Sequence, residues 1–367
     1  MAVRHGYGKI AGTDALVFAY DTGDTRNSYK GEPTTNLAPS QQMVNHGSYG
    51  HVMTFSEAPE KGPGWKKVNI TYRGTNFRIT QMPYIGQPTG TTYAYSIEID
   101  WGSTTGYYMT GDGSSGFGIN GGTTSYPHGT HTNSSGTTRS EGLFIYHNTY
   151  NVSCNDTIYY RYYQVEANSH STPYTVGTRS ATQGLLDLTG NSSIDLSNVS
   201  FDSNAQIVFD GSNDYINIPS STVFDTQTVT VEVVVKPYAT SQYGFWFEKG
   251  AVNTQYSLFI EGGSIVWRQA SQSQYSSSSN LVANGWNHVV GTFKTGERKT
   301  YVNGVLRAED SLVHTLATNQ GNQFIGSYNS GGYHYNGEIA IVKVYNRVLT
   351  ATEVASNYNH YKSRFNI

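Results

Sequence analysis

Along nearly the whole chain, apolar and polar residues alternate in short runs broken by Gly, Asn, Ser or Pro, a pattern of antiparallel β-sandwiches and not of α/β folds. In TTYAYSIEIDW (Thr91 to Trp101), Tyr93, Tyr95, Ile97, Ile99 and Trp101 fall on one face and Ala94, Ser96, Glu98 and Asp100 on the other, which predicts a half-buried strand. VTVEVVVKP (Val229 to Pro237) reads as a buried strand ended by proline, and KTYVNGVLRA carries Asn303-Gly304, the two-residue type I′ hairpin signal. Trp286, His288, Val290 and Thr292 share one strand face, and GEIAIVKVYNR alternates into another strand. A single stretch argues for a helix. In LTATEVASNYNHYK, Thr350 and Glu353 form a capping box, and Val354 and Tyr358 recur at i, i+4.

Composition narrows the classes. The chain has 367 residues, enough for two domains or one large β domain. Charged residues make up 13%, about half the usual share, whereas Gly reaches 40 and Tyr 30, so the surface must be built from uncharged polar residues and tyrosine. With 23 Lys+Arg against 26 Asp+Glu the net charge is −3, so no basic field is present to hold nucleic acid or an anionic membrane. The one cysteine, Cys154, cannot make an intrachain disulfide and reads as an inert thiol. No apolar run reaches the length of a transmembrane helix, and the opening MAVRHGYGKIAGTDALVF lacks a signal-peptide pattern. An extracellular-type surface on a chain without an export signal suits a virion component released by lysis. No fixed-period repeat or heptad is visible.

Catalytic signatures are thin. There is no GxSxG elbow, and GDGSSGFGINGG (Gly111 to Gly122) reads as a flexible loop, since it lacks the lysine and helix of a phosphate loop. His128 and His131 are two imidazoles without a neighbouring carboxylate, which fits a polar loop better than a metal centre. Six Asn-x-Ser/Thr sequons, at Asn69, Asn133, Asn151, Asn155, Asn191 and Asn198, carry little meaning in so Asn-rich a chain. Binding chemistry is better represented. A sugar offers apolar C–H faces with a hydroxyl rim, which suits an exposed aromatic plate beside amide or backbone partners. Tyr107, Tyr108, Tyr333 and Tyr335 are the candidate plates, with packing against a loop or a neighbouring subunit as the alternative for each. Trp246, Trp267 and Trp286 lie within strand patterns and read as core.

From about Phe209 to Tyr358 the segments FDGSNDYINIP, VTVEVVVKP, WNHVVGTFKTGERKTYVNGVL and FIGSYNSGGYHYNGEIAIVKVYNRVLTATEVASNY resemble, in order and spacing, the laminin-G-like, concanavalin-A-like jelly-roll family. The family's opening in phage and environmental proteins is similar to TDALVFAYDTGDTRNSYKG (Thr13 to Gly31) together with GLLDLTGN (Gly184 to Asn191), here some 150 residues apart. The resemblance therefore implies a first strand at residues 13 to 21 and a second domain inserted between the two halves, a tolerable event at an exposed loop. GEPTTNL (Gly31 to Leu37) and YYQVEANSHSTPYTVGTRS (Tyr162 to Ser180), with a Gln-x-Glu on the last strand and a Thr-Pro turn, resemble jelly-roll carbohydrate-binding modules of phage virion proteins.

The expected fold is all-β: two antiparallel β-sandwiches (jelly rolls), one inserted in the other, with one short C-terminal helix. The laminin-G-like sandwich would take residues 1–33 and 183–367, and the inserted module residues 34–182. Glycosidases of this family carry Glu-x-Asp-x-Glu on one strand. Glu98, Asp100 and Gly102 lack the last carboxylate and lie in the inserted module, so a non-enzyme is expected. Relatives often bind calcium through loop oxygens. Asp210 and Asp214, and Asp21 and Asp24, have the right oxygen chemistry, although Asp also favours such turns by bonding its own backbone. No other cofactor is implied.

The resemblance thus implies a bacteriophage virion surface protein, a capsid decoration or a tail or fibre component, that presents a glycan-binding surface for host attachment. Its partners would be other virion proteins and host surface glycans, with neither nucleic acid nor membrane. A homo-oligomer, with a trimer as one form, follows by analogy. The rivals are a purely architectural accessory with no sugar site and a secreted bacterial carbohydrate-active protein.

Overall fold

The structure is a computed structural model and describes residues 15–38, 40–45, 49–76, 78–83, 85–111, 126, 128–134, 137–141, 143–250, 255–277, 280–318, 321–329 and 331–367. The loop expected over Gly111 to Gly122 lies outside these residues from position 112 onward, as do positions 13 and 14 of the expected first strand. Strands dominate, every pairing between them is antiparallel, and the helix Ala351–Phe365 closes the chain. By internal contacts the chain divides into two compact units. The first holds the residues up to Glu32, Ser180–Asp202 and Gln206–Ile367, and the second holds Pro33–Arg179 with Ser203–Ala205.

The first unit has two sheets. One runs, edge to edge, Ser200–Phe201, Ile207–Asp210, Asn336–Tyr345, Val229–Pro237, Asn287–Lys294, Glu297–Val302 and Val305–Asp310, with Leu16–Asp21 also paired to Asn336–Tyr345. The other runs Ile216–Ile218, Gln323–Ile325, Tyr243–Lys249, Tyr256–Glu261, Ser264–Gln269 and Gln272–Ser277. Their facing sides share one core that includes Phe18, Tyr20, Val231, Trp246, Trp267 and Val342. The Trp267 indole lies so close to Gly291 that a Cβ there would meet it at 2.5 Å, and its Nε1 donates to the Thr292 carbonyl at 3.1 Å. Glycine at 291 is thus required for the two sheets to approach as they do. The hairpin turn has both Asn303 (φ 50°) and Gly304 (φ 75°) in the left-handed region, as a type I′ turn demands.

Two stretches far apart in sequence meet at the first strand. Asp187 accepts the Ala19 N–H at 3.0 Å through one oxygen, and the Asn191 and Ser192 N–H groups through the other. The Thr189 hydroxyl and the Asn191 amide both donate to the Val17 carbonyl, and Tyr29 bridges to Leu185. A single carboxylate thus gathers the backbone donors of the Leu185–Ser192 region around the strand.

The C-terminal helix begins as its sequence dictates. Thr350 Oγ1 accepts the Glu353 N–H while the Glu353 carboxylate accepts the Thr350 N–H at 2.8 Å. Arg347 grips Glu353 with two hydrogen bonds and, with the cap, lowers that carboxyl to about 2. Beneath the helix Glu232 is fully buried and accepts from His288 Nε2 at 2.8 Å, Tyr345 OH at 3.1 Å and Asn357 Nδ2 at 3.0 Å. Burial alone would raise the Glu232 carboxyl. His288, Lys343 and Tyr345 outweigh it and hold it below the ordinary range.

The second unit is built on two main sheets, with the two-stranded pairs Ile85–Gln87 with Arg139–Glu141 and Thr34–Thr35 with Thr178–Arg179 beside them. Its larger sheet runs His128–Thr132, Thr92–Asp100, Val152–Glu166, Lys66–Arg73 and Val52–Glu57, and the smaller runs Val44–Asn45, Arg78–Gln81, Leu143–His147 and Tyr107–Gly111. Ile97, Ile99, Ile158, Tyr160, Leu143 and Ile145 are part of the core between them. The Gln-x-Glu expected on the last strand is wholly internal. Gln164 and Glu166 are both 0% exposed, and Glu166 accepts from Thr34 Oγ1, Thr172 N, Thr172 Oγ1 and Gln164 Nε2. Gln164 Oε1 takes the Thr175 N–H at 2.7 Å, so the pair fastens the returning 172–175 segment onto the sheet.

Candidate functional site

The six-stranded sheet of the first unit carries aromatic side chains on the face turned away from its core. Alternation from Tyr243 and Phe245 would put Phe247 there and turn Glu248 inward, but a register shift between Phe245 and Phe247 turns both Trp246 and Phe247 inward and leaves Phe245 and Glu248 outward. Phe245 stacks on Phe259 at 4.2 Å with the rings 12° apart, and both are fully buried. Over them lie Tyr243, 5.8 Å from Phe259, and Tyr328, 5.1 Å from Phe245. The Arg268 guanidinium sits 4.5 Å from the Phe259 ring. Tyr275, opposite Val266, stands out from the same face and is 57% exposed.

Tyr333 completes this shelf. Its ring stacks on Tyr243 at 4.1 Å and 26°, and 52% of the residue remains exposed. The backbone there is left-handed, φ 51°, which an aromatic residue rarely adopts. The conformation is enforced on both sides: Tyr328 N donates to Gly332 O at 2.8 Å, and Tyr335 N donates to Gly326 O at 2.7 Å. Glu248 lies under the turn, 5% exposed, and accepts the Asn329 N–H at 3.0 Å. Burial raises its carboxyl to about 8, only partly countered by Asn329 and Arg268. A cavity of about 10 Å³, room for one water, lies between Glu248, Ser257, Arg268 and Tyr328.

The four tyrosines expected as plates separate sharply. Tyr333 is a plate. Tyr335 is not: it is fully buried beside Phe209 and Trp246, because the two backbone pairings above draw it under the turn. Tyr107 is 2% exposed, its hydroxyl donating to Asp156 at 2.7 Å and its ring packed on His147 at 4.4 Å, so it too is corrected from plate to core. Tyr108 is half-buried and stacks on Tyr146 at 5.3 Å. Trp246 and Trp267 are fully buried, and Trp286 is half-buried against Phe365.

The carboxylates considered for calcium serve their own turns. Asp210 Oδ1 accepts the Ser212 and Asn213 N–H groups, and Asp214 accepts the Asp210 N–H at 2.7 Å and the Ser200 hydroxyl at 3.1 Å. Asp210 is held below the usual carboxylate range by those backbone donors, whereas burial and its neighbour push Asp214 up. Each carboxylate is thus already engaged by the N–H and hydroxyl donors of its own turn, the bonding that Asp favours there. Asp21 is gripped by Arg364 with two bonds of 2.6 Å, and Asp24 accepts the Arg26 and Asn27 N–H groups. His128 and His131, three apart on one strand, point to opposite faces and cannot share a metal. Among the described residues no group of three or more His, Cys, Asp or Glu is placed to hold a metal ion, and no helix is long and apolar enough to cross a membrane. The Cys154 thiol is half-buried, and burial pushes it up.

On the second unit, Glu98 is paired with Arg161 in a fork and Asp100 with Lys61 at 2.5 Å. A groove of about 420 Å³ lies between Glu57, Pro59, Gly62, Pro63 and Trp65. Trp65 is only 9% exposed and its ring is already covered by the Arg161 guanidinium at 4.5 Å. This groove therefore lacks the open aromatic face that Tyr333 offers.

Sequence reasoning missed Tyr243, Tyr328, Tyr275 and Glu248. The signal for the first and last was in YGFWFEKG, where three consecutive aromatic residues break the alternation and mark the bulge.

Several solved structures match about half of the chain. The binding domain of botulinum neurotoxin DC in complex with rat synaptotagmin II matches at 14% identity and a TM-score of 0.39, covering 49% of this chain and 50% of that one. The botulinum neurotoxin serotype G binding domain matches at 20% and 0.42, covering 49% of each. Domain 4 of AbnA, a GH43 extracellular arabinanase from Geobacillus stearothermophilus in complex with arabinotriose, matches at 16% and 0.39, covering 49% of this chain and 93% of that one. The matched region spans about half the length of the neurotoxin chains. No curated protein matches the sequence. Residues 210–355, which contain the whole aromatic shelf, match the family model described as the concanavalin A-like lectin/glucanases superfamily, and that segment is a domain of this superfamily.

Proposed function

We propose that the chain is a non-enzymatic binding protein that receives the apolar face of a pyranose ring on the shelf formed by Tyr333 and Tyr243. The observation that carries this reading is the Tyr333 ring, held in a left-handed backbone conformation with one face stacked on Tyr243 and half the residue left exposed. A sugar C–H face replaces water there at low entropic cost, because the plate is already fixed. Arg268 and Tyr275 supply polar groups at the rim for the hydroxyls.

The absence of hydrolysis is part of the proposal. Retaining and inverting glycosidases need two carboxyls roughly 5–9.5 Å apart. On this face Glu248 stands opposite Ser257, and Glu261 lies four residues farther along that strand, about 13 Å away at the strand rise. In the other unit Glu98 and Asp100 are each tied to a cation.

The uncharged polar surface and the resemblance of both units to phage virion modules support a place on a bacteriophage surface, as a capsid decoration or a tail component attaching to host glycans. A glycan array with the intact protein and with Tyr333→Ala tests the reading. The parent should bind a defined glycan set and the variant should lose roughly tenfold in affinity, about 1.4 kcal/mol. A blank array for the parent would refute it and leave the architectural role, with the shelf packed against a neighbouring subunit.

A further inference from the structure

Tyr333 touches neither of the strands that carry Phe245 and Phe259 through its own backbone; it reaches the shelf at the end of a turn. The turn is narrow. Asn329 stands at φ 50°, its side chain accepts the Gly331 N–H at 3.0 Å, and its carbonyl receives the Ser327 hydroxyl. These contacts close the turn upon itself but do not fix its height above the sheet.

One side chain of the sheet reaches up into it. Glu248, brought to the outward face by the bulge at Phe245 and Phe247, accepts the Asn329 N–H at 3.0 Å. The groups around this carboxyl are Arg268, from the strand Ser264–Gln269 beyond Tyr256–Glu261, and Tyr328 from the turn above. Lys249, on the opposite face, is already paired with Asp225 at 2.9 Å. A carboxyl so enclosed is a costly choice for a position that a serine or threonine could fill on a sheet surface. Its length accounts for the choice, since the acceptor must cross the layer occupied by Phe245 and Phe259 to meet the turn.

We propose that Glu248 is the positioning residue of the shelf: by holding the Asn329 N–H it sets the turn at the height that lays Tyr333 on Tyr243, and so governs affinity for a pyranose-bearing ligand that it does not touch. The inference rests on the binding reading for its functional half and on geometry alone for its structural half. Burial favours the neutral carboxyl. Glutamine, which presents the same carbonyl acceptor, is therefore the conservative replacement.

Amide hydrogen exchange of the ligand-free protein, read at Asn329 and at Leu258 in the sheet below, separates the two halves. Glu248→Ala should speed exchange at Asn329 at least tenfold while Leu258 keeps its protection, and should weaken the best array glycan about tenfold. Glu248→Gln should preserve both. Should the alanine variant fail to fold, Glu248→Asp, which withdraws the acceptor by one methylene, should show the same pattern in smaller measure. Unchanged protection at Asn329 in Glu248→Ala or Glu248→Asp overturns the proposal, whatever the glycan result. Release of Asn329 in a protein whose parent form binds no glycan upholds the positioning role and defeats the binding reading.

Discussion

The same carboxyl makes a prediction about stability that needs no ligand. Glu248 is 5% exposed and its carboxyl is raised to about 8 from an ordinary 4.5, with burial as the main cause. A carboxyl raised in the folded state binds its proton more tightly there than in the unfolded chain. The contribution of this group to folded-state stability is therefore greatest below about pH 4.5, falls as pH climbs from 4.5 to 8, and levels off above. At about 1.4 kcal/mol per pH unit the loss is about 3 kcal/mol at pH 7 and about 5 kcal/mol above pH 8. Glu248→Gln removes the ionisation and keeps the acceptor for Asn329. The variant should match the parent near pH 4 and exceed it by about 3 kcal/mol at pH 7. Urea unfolding at several pH values measures this. A Trp65→Phe, Trp101→Phe background leaves Trp246, Trp267 and Trp286 to report on the first unit alone. Identical pH dependence in parent and variant between pH 4.5 and 8 would refute the argument that desolvation dominates at Glu248.

Two further predictions concern buried carboxylates that organise backbone. Asp187→Ala leaves the N–H groups of Ala19, Asn191 and Ser192 without their acceptor and should cost about 3 kcal/mol, seen as faster amide exchange at Ala19. Glu166→Ala strips the acceptor from Thr34 and Thr172, should cost a similar amount, about 3 kcal/mol, and should make the 167–175 stretch the first site of limited proteolysis.

What the sequence made legible was local. The capping box at Thr350 and Glu353 and the Asn303-Gly304 turn depend on residues three or fewer apart, and both stand as read. The strands Val229–Pro237 and Asn336–Tyr345 were legible from their alternation, and the family resemblance covered the segments around them. The partners of Glu98 and Asp100 could not be read, because Arg161 and Lys61 come from other strands and turns. Tyr333 and Tyr335 show the limit most clearly. Two residues apart, they carry the same chemistry and pattern, yet one is exposed and the other is core. The difference arises from backbone pairings of the turn to Gly326 and Phe245, which no alternation encodes. Glu248 was invisible for a related reason: in FWFEKG a bulge decides which face each residue takes, and a shift of one position would bury the carboxylate in the core and expose Trp246.

The claim on which the functional account stands is that a sugar ring lies on Tyr333. Saturation-transfer NMR between the protein's aromatic protons and the strongest glycan from the array reads this contact directly. The account predicts transfer concentrated on the C–H protons of one pyranose face, and its loss in Tyr333→Ala. Transfer of equal strength and pattern in Tyr333→Ala would place the ligand elsewhere and contradict it.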